Sequence, residues 1–492
     1  MGSNEGRQAL EGFREPVRRW FAQTFGEPTR AQELCWPAIR SGASTLLLAP
    51  TGSGKTLAAF LAAIDAVLFD PPPPVLERCR VLYISPLKAL AVDVEKNLRA
   101  PVAGILQQAE VMGWTAHEPA VAIRTGDTPA SERVRFVKRP ADILITTPES
   151  LYLLLTSAAR AALRSVRSVI VDEIHATVGT KRGAHLALSL ERLQELTGSP
   201  LQRIGLSATQ RPLEEVARFL GGFEDDGPAE GPGVETVEEG LEVVLEHAAP
   251  VAARRERPVR IVDAGARKHL DLRVESAAAD LVDAGRASSG AAGASAADRR
   301  GVWPAIHPLL LDLIGKHRST LIFVNSRRLA ERLAASLNEL AGSEVVHAHH
   351  GSIAREQRLQ IEGALKAGRL PGLVATSSLE LGIDMGAIDL VIQVEAPPGV
   401  ASAMQRIGRA GHRIGDASKG VIIPRYRADL LACAAITERM HAGAVEPMRY
   451  PRSPLDVLAQ QIVAMVAVED WTVDGLERVV RRAAPYASLP RS

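Results

Sequence analysis

Residues 46–56 read LLLAPTGSGKT, and the fold turns on this stretch. The phosphate-binding pattern GxxxxGK[ST] needs backbone N–H groups turned inward around the phosphates, a lysine for the terminal ones and a hydroxyl for Mg²⁺. Thr51, Gly52, Ser53, Gly54, Lys55 and Thr56 supply these. Ala49 stands where the first glycine belongs, and its methyl is small at the mouth of the loop. The apolar run TLLLA before it reads as a buried strand, and the helix expected from Leu57 to Phe69 aims its N-terminal dipole at the phosphates. A plain glycine-rich strand-to-helix turn is the competing reading; GSGKT behind a buried strand favours the nucleotide.

Outward from this loop, short β-type runs alternate with helical stretches: RVLYIS, VAIRT, DILITT, SVIVDE and RIGLSA. That alternation argues a parallel sheet with helices on both faces. A second series follows in TLIFVN, EVVHAHH, LVATS, DLVIQV and GVIIP, without a phosphate loop of its own. The fold expected is α/β with two tandem units. Two biased segments, EDDGPAEGPGVETVEEG and SAAADLVDAGRASSGAAGASAADRR, read as surface insertions. RPVRIVDAG should close the first sheet and KHLDLRVES open the second, with a hinge near Gly265 to Lys268.

Length and composition bound the answer. At 492 residues with 46% hydrophobic and 23% charged residues, a globular protein of two or three domains is expected. Cys35, Cys79 and Cys433 form no CxxC pair, which argues against a disulfide framework or a thiolate zinc site and fits a reducing cytoplasm. The start MGSNEGRQALEGF lacks the pattern of a signal peptide, and Asp65 interrupts the longest apolar helix. A net charge of only +1 means that any nucleic-acid site must be local.

Two further constellations carry chemistry. In VIVDEIHA, residues 169–176, Asp172 leaves a buried strand where a P-loop fold holds Mg²⁺, and Glu173 can face the attacking water. His175 has no partners at metal-ligand spacing and reads as a relay or packing residue. In QRIGRAGHR, residues 405–413, a planar and permanently charged guanidinium could cross a cleft to neutralise phosphoryl transfer, although a basic surface turn would contain the same residues.

With APTGSGKT, VDEIHA, GLSATQ at 205–210, ATSSLELGID at 375–384 and QRIGRAGH, the sequence resembles superfamily 2 DExH-box helicases. PTRAQ, SPLKALAVD, TTPESLYLLL, KRGAHLALSLERL, FVNSRRLAERLA, AHHGSIAREQR, APPGVAS and SPLDVLAQQIVAM make it similar to the large helicase-related (Lhr) DNA helicases from about Phe25 to the C-terminus, the two insertions excepted. AxxGxGKT is a common form of the loop in that superfamily, so Ala49 does not count against activity.

The resemblance implies two RecA-like domains. Residues 1–24 form an N-terminal helical extension and 25–265 the first domain, with an insertion at about 223–256. Residues 266–450 form the second, with an insertion at about 277–300, and 451–492 a partial winged-helix region. It also implies ATP and Mg²⁺ as cofactors. Pro28, Thr29, Arg30 and Gln32 shape and read the adenine pocket; Lys55 and Thr56, with Asp172, hold phosphates and metal; Glu173 is the base. Gly382 and Asp384 complete the cleft, with Arg406 and Arg409 on the phosphates; His412, mostly neutral at pH 7, is not trusted with that charge. Ser207, Ala208 and Thr209, with His175, couple the cleft to the strand.

Nucleic-acid contacts are expected from Lys88, Thr147, Glu149, Asn325, Arg327, His350, Gly351, Thr376, Ser377 and Ser378, which grip phosphates without reading bases. The function implied is a motor on single-stranded DNA, 3′ to 5′, linked to DNA repair. The alternatives are an RNA helicase or a DNA-dependent ATPase and clamp without productive unwinding. Relatives of this kind continue through a complete winged helix. The two helices after residue 450, with Leu458, Ile462 and Met465 on one face, are therefore expected to pack on the second unit or to associate, and unwinding is expected to be weak.

Overall fold

A computed structural model describes residues 8–50, 52–208, 210–225, 254–265, 269–276, 303–381, 388–411 and 417–490. Thr51, Thr209, Gly382, Asp384 and His412 lie outside the described residues, as do the hinge positions 266–268.

The first unit is built on strands β1 (Thr45–Leu48), β2 (Val81–Ile84), β3 (Val121–Arg124), β4 (Ile143–Thr146), β5 (Ser168–Val171) and β6 (Gln202–Ser207). Short strands β7 (Phe223–Asp225) and β8 (Arg254–Glu256) pair antiparallel at the base of the first insertion, and β9 (Arg260–Asp263) returns to the sheet. The sheet order is β3-β4-β2-β5-β6-β1-β9, all pairs parallel. β1, β2 and β4 are buried at every residue because helices cover both faces, which is why they read as continuous apolar runs. Leu46, Leu82, Leu144 and Val169 point into one core, and Leu47, Tyr83, Ile145 and Ile170 into the other. Each such leucine contributes about 1.5–3 kcal/mol by leaving water.

The second unit contains β10 (Leu270–Val274), β11 (Thr320–Phe323), β12 (Val346–His349), β13 (Gly372–Ala375), β14 (Leu390–Val394) and β15 (Ser418–Ile423), in the order β10-β15-β14-β11-β13-β12 and again parallel. RPVRIVDAG thus supplies the edge strand beside β1, and KHLDLRVES the edge strand beside β15. Ahead of the first sheet, the helix Glu15–Phe25 buries Val17, Trp20 and Phe21. Gly104 admits Trp20, since a Cβ there would stand 2.3 Å from the indole nitrogen.

The C-terminal helices Leu455–Val466 and Val473–Arg482 do not pack on the second unit, as their apolar face suggested. They lie on the helix Lys181–Thr197 of the first. The reason is polar as much as apolar. The buried face is Val457, Gln461, Ala464 and Met465, with Leu458 and Ile462 only half-buried. At its centre Gln461, fully buried, donates to His185 O and Ser189 Oγ, both at 3.1 Å, and accepts from Arg192 Nη1 at 2.8 Å. Nearby, the buried Glu191 accepts from Arg203 and Arg257, and Arg482 reaches Glu195 at 2.6 Å. Among the described residues no helix is long and apolar enough to cross a membrane.

Candidate nucleotide and nucleic-acid sites

In parallel sheets the loops leaving the C-terminal strand ends gather side chains at one rim. The loop after β1 brings Gly52 (φ +83°) and Gly54 (φ +78°) into the left-handed region, which turns the chain into the helix Lys55–Phe69. That helix has no side-chain cap and no acidic residue in its first turn, so its leading N–H groups face the loop as anion donors. Lys55 Nζ is buried with no hydrogen-bond partner among the described residues. Ser53 stays inside the loop, donating to Pro50 O at 2.7 Å.

Gln32 and Thr29 form a capping box that opens the helix Arg30–Arg40: Gln32 Oε1 accepts the Thr29 N–H at 2.9 Å, and Thr29 Oγ1 also donates to Ser53 O at 2.8 Å. The Gln32 amide nitrogen lies against Gly54, where a Cβ would come within 2.6 Å of it. Of the groups expected to read adenine, the Gln32 carbonyl is therefore engaged within the helix cap and the amide nitrogen faces the loop. Pro28 is half-buried beside them, and Arg30 is exposed.

Opposite the loop, Asp172 leaves β5 buried. The Tyr83 hydroxyl donates to Asp172 Oδ2, and Asp172 Oδ1 accepts the Glu173 N–H at 2.9 Å. Burial, then the adjacent Glu173 charge, raises the Asp172 pKa to about 7. Glu173 holds φ +43°, an uncommon conformation for a side chain of its size and one that surrounding structure must maintain. His175 Nδ1 accepts the Ala208 N–H at 3.3 Å and lies 3.3 Å from Ser207 Oγ. Glu173 Oε2 is 3.4 Å from the same nitrogen, but burial pushes the imidazole pKa down, and a ring nitrogen accepting a backbone N–H is neutral, so the contact is not an ion pair. His175, Ser207 and Ala208 are thus brought together as the join between the two motifs.

From the second unit, Arg409 comes within electrostatic reach of Glu173: burial lowers its pKa while the charges of Glu173 and Glu380 oppose that shift. Its Nη2 donates to Glu380 O at 2.5 Å. Arg406, expected on the phosphates beside it, is placed elsewhere. Only 2% exposed, it donates to Glu380 Oε1 (2.7 Å), Gln393 Oε1 (2.7 Å) and Asn325 Oδ1 (3.1 Å) and stacks on Phe323. Its guanidinium anchors the helix Val400–Ile407 and is not free for a nucleotide.

Several expected nucleic-acid contacts are likewise occupied. Thr147 is buried, accepting the Ser150 N–H as the N-cap of Pro148–Leu154. Glu149 is gripped by Arg182, whose hydrogen bond holds the carboxyl below its ordinary pKa against the opposing effect of burial. His350 is fixed between Glu331 (2.6 Å) and the Ser352 N–H (3.3 Å). Asn325 donates to Ala396 O at 2.9 Å. Thr376 is buried, with its N–H on His349 O. Thr147, His350 and Thr376 are buried in the strand-end loops they shape, whereas Glu149 and Asn325 stay exposed with these partners engaged.

What remains at the rim is Lys88, paired with Asp127 at 2.5 Å and half-exposed; Arg327, donating to Ser352 Oγ at 2.7 Å beside Gly351; and Ser377 with Ser378. Sequence reasoning missed Tyr83, Arg182, Glu380 and Gln393. A tyrosine inside a buried strand needs an acceptor, and that rule could have found Tyr83.

The chain matches the DEAD/DEAH box helicase model at residues 29–217, the helicase conserved C-terminal domain at 305–415 and the winged helix domain of large helicase-related protein at 438–492. It is 47% identical over its whole length to the Lhr helicase/probable uracil glycosylase of Mycolicibacterium smegmatis, covering 32% of that protein. Over 98% of the chain it is 42% identical to the ATP-dependent helicase Lhr-Core protein 2 of Thermococcus barophilus, covering 52% of it. The solved structure of Mycobacterium smegmatis helicase Lhr bound to ssDNA and AMP-PNP superposes with a TM-score of 0.82 and 49% identity, over 98% of this chain and 57% of that one. The chain thus spans about a third to a half of the length of these curated relatives. Two parallel-sheet units, the first with a glycine loop leading into the helix Lys55–Phe69 and a DEIH strand end, followed by the matching winged-helix segment, make this chain a member of the large helicase-related (Lhr) family of superfamily 2 helicases.

Proposed function

We propose that the chain is an ATP-driven motor that hydrolyses ATP between its two units and steps along single-stranded DNA, separating duplex ahead of it. The observation that best supports this is the approach of Arg409, from the second unit, to Glu173 of the first, beside the buried Lys55, whose Nζ has no hydrogen-bond partner among the described residues. A switch ATPase working on one unit would have no use for it.

Lys55 Nζ and the leading N–H groups of Lys55–Phe69 hold the β- and γ-phosphate oxygens. The buried Asp172, steadied by Tyr83, and the Thr56 hydroxyl fit a divalent cation, and Mg²⁺ bound there would neutralise charge on those oxygens. Glu173 orients the attacking water and takes its proton as the P–O bond to the ADP leaving group breaks. Arg409 offsets the charge that develops, and it can do so only when the units close. His175, tied to Ser207 and Ala208, carries the state of Glu173 to the loop after β6. Stepping 3′ to 5′, a role in DNA repair and residence in the cytoplasm belong to the same proposal and rest on family membership.

Steady-state ATPase with single-stranded DNA, single-stranded RNA or neither tests it. Stimulation by DNA beyond RNA is expected. Equal stimulation by RNA would remove the DNA preference, and none by either would remove the motor.

A further inference from the structure

On the second unit, the loops leaving β14 and β15 carry a surface cluster that none of the motifs explains. Arg425 is stacked between Trp303 and Tyr426, its guanidinium carbon 4.9 and 4.7 Å from the ring centroids. Its Nη1 donates to Glu395 Oε1 at 2.7 Å. Glu395 is a non-glycine residue at φ +66°, a conformation that costs free energy and tends to persist at functional sites. Gln393 Nε2 holds it there through Glu395 O at 3.0 Å, and Gln393 Oε1 is itself bound by Arg406. The neighbouring Ala396 O accepts from Asn325, so the cluster is continuous with the rim of strand-end loops.

Tyr426 is 52% exposed, with Arg425 over its ring; Leu430, one helical turn on, is exposed as well. Arg425 is paired with Glu395, and its backbone N–H is bound by Asp429, so its guanidinium is already engaged. What it offers is a rigid ring on a cationic support, and such rings in nucleic-acid motors hold unpaired bases by stacking.

We propose that Tyr426, backed by Arg425 and Trp303, is a nucleobase-stacking site for the single strand at the rim of the second unit. The proposal rests on the motor reading above. It places a base contact in a unit whose other rim residues are suited only to the backbone, and links it through Glu395, Gln393 and Arg406 to Glu380, the residue whose carbonyl holds Arg409.

The test is equilibrium binding of fluorescein-labelled oligo(dT), and of the same oligomer with every base replaced by an abasic spacer, to wild type, Tyr426→Ala and Tyr426→Phe. Base–aromatic stacking predicts that Tyr426→Ala weakens oligo(dT) binding by roughly 5- to 150-fold, that the phenylalanine variant stays close to wild type, and that the abasic oligomer does not distinguish the three. Quenching of a 2-aminopurine moved along the strand, present at one position in wild type and absent in Tyr426→Ala, gives a second readout. Equal loss on both oligomers would mean a backbone contact, and a change in self-association without loss of DNA would mean a protein interface; either overturns the site. Wild type that binds neither oligomer would instead overturn the motor reading.

Discussion

Arg406 and Arg409 sit three residues apart in one motif, and the structure gives them different surroundings, so a pair of substitutions tests whether their jobs differ. Arg406→Ala removes a guanidinium that is 2% exposed and leaves the Glu380 carboxylate, whose side chain is 15% exposed, without its cation. Breaking a buried ion pair in this way costs about 3–5 kcal/mol. The exposed Asn325 amide oxygen can turn toward water, but Gln393, 1% exposed with its amide nitrogen on Val394 O and Glu395 O, keeps an unsatisfied acceptor that adds to the cost. Spread over a unit of this size, where 1 kcal/mol is about 2–4 °C, the melting temperature of the second unit should fall by about 6–20 °C or more. Arg409→Ala should leave melting nearly unchanged while turnover falls by about 10³ or more, the scale attached to a guanidinium in phosphoryl transfer. Differential scanning calorimetry and DNA-stimulated ATPase on the two variants decide it. An Arg406→Ala protein that melts like wild type but does not turn over would show that Arg406 leaves its network for the phosphates, and the reasoning would be wrong.

Three other outcomes follow from the same geometry. Lys55→Ala should lose nucleotide binding, measured with a fluorescent ATP analogue, because nothing else in the loop carries a cation to the terminal phosphates. Glu173→Gln should retain ATP and DNA without turnover; hydrolysis at the parent rate would move the base elsewhere. Glu191→Gln should lower the melting temperature at pH 7. Against burial, which would raise it, Arg203 and Arg257 hold the Glu191 pKa below its ordinary 4.5, so its contribution is complete above that pH and is lost as the pH falls toward the folded value. The gap between variant and wild type should therefore narrow below about pH 4.5 and stay constant above it.

The strands and the phosphate loop were legible because their signals are local. A run such as TLLLA followed by GSGKT states its burial, its turn and its helix within a dozen residues. Side-chain partners across the fold were not. Thr147 reads as a free hydroxyl until the helix that it caps is in place, and Glu149 as an unpaired acid until Arg182, 33 residues on, closes on it. The pattern QRIGR names two arginines without saying which faces inward; that depends on Glu380, Gln393 and Asn325, which arrive from three different strand ends. The C-terminal helices mislead for a related reason. Their apolar spacing identifies a face but not its partner, and the partner is chosen by Gln461 fitting the turns of Lys181–Thr197.

That helix packs against both the segment after Glu173 and the C-terminal helices, and its third residue makes the connection testable. Gly183 sits on the short helix His175–Val178, and a Cβ there would stand 2.3 Å from Thr177 O and 3.1 Å from Val178 Cα, with no flexible side chain to yield. Two residues before Thr177, His175 touches Glu173; one residue before Gly183, Arg182 reaches Glu149 and Pro86 O at the strand-end loops proposed to meet the nucleic acid. Two turns later Glu191 and Arg192 hold the C-terminal helices. Gly183→Ala must push the two helices apart, which at a packed site costs about 1–3 kcal/mol, and the displacement falls on the path from Glu173 to Arg182. ATP binding through Lys55 does not involve that path and should survive. Stimulation of the ATPase by single-stranded DNA should drop by more than the basal rate, with weaker DNA binding as Arg182 is carried away from its loop. If Gly183→Ala melts below wild type yet keeps the full ratio of stimulated to basal turnover, the close approach of these helices serves packing alone, and coupling runs through Ser207 and Ala208 without it.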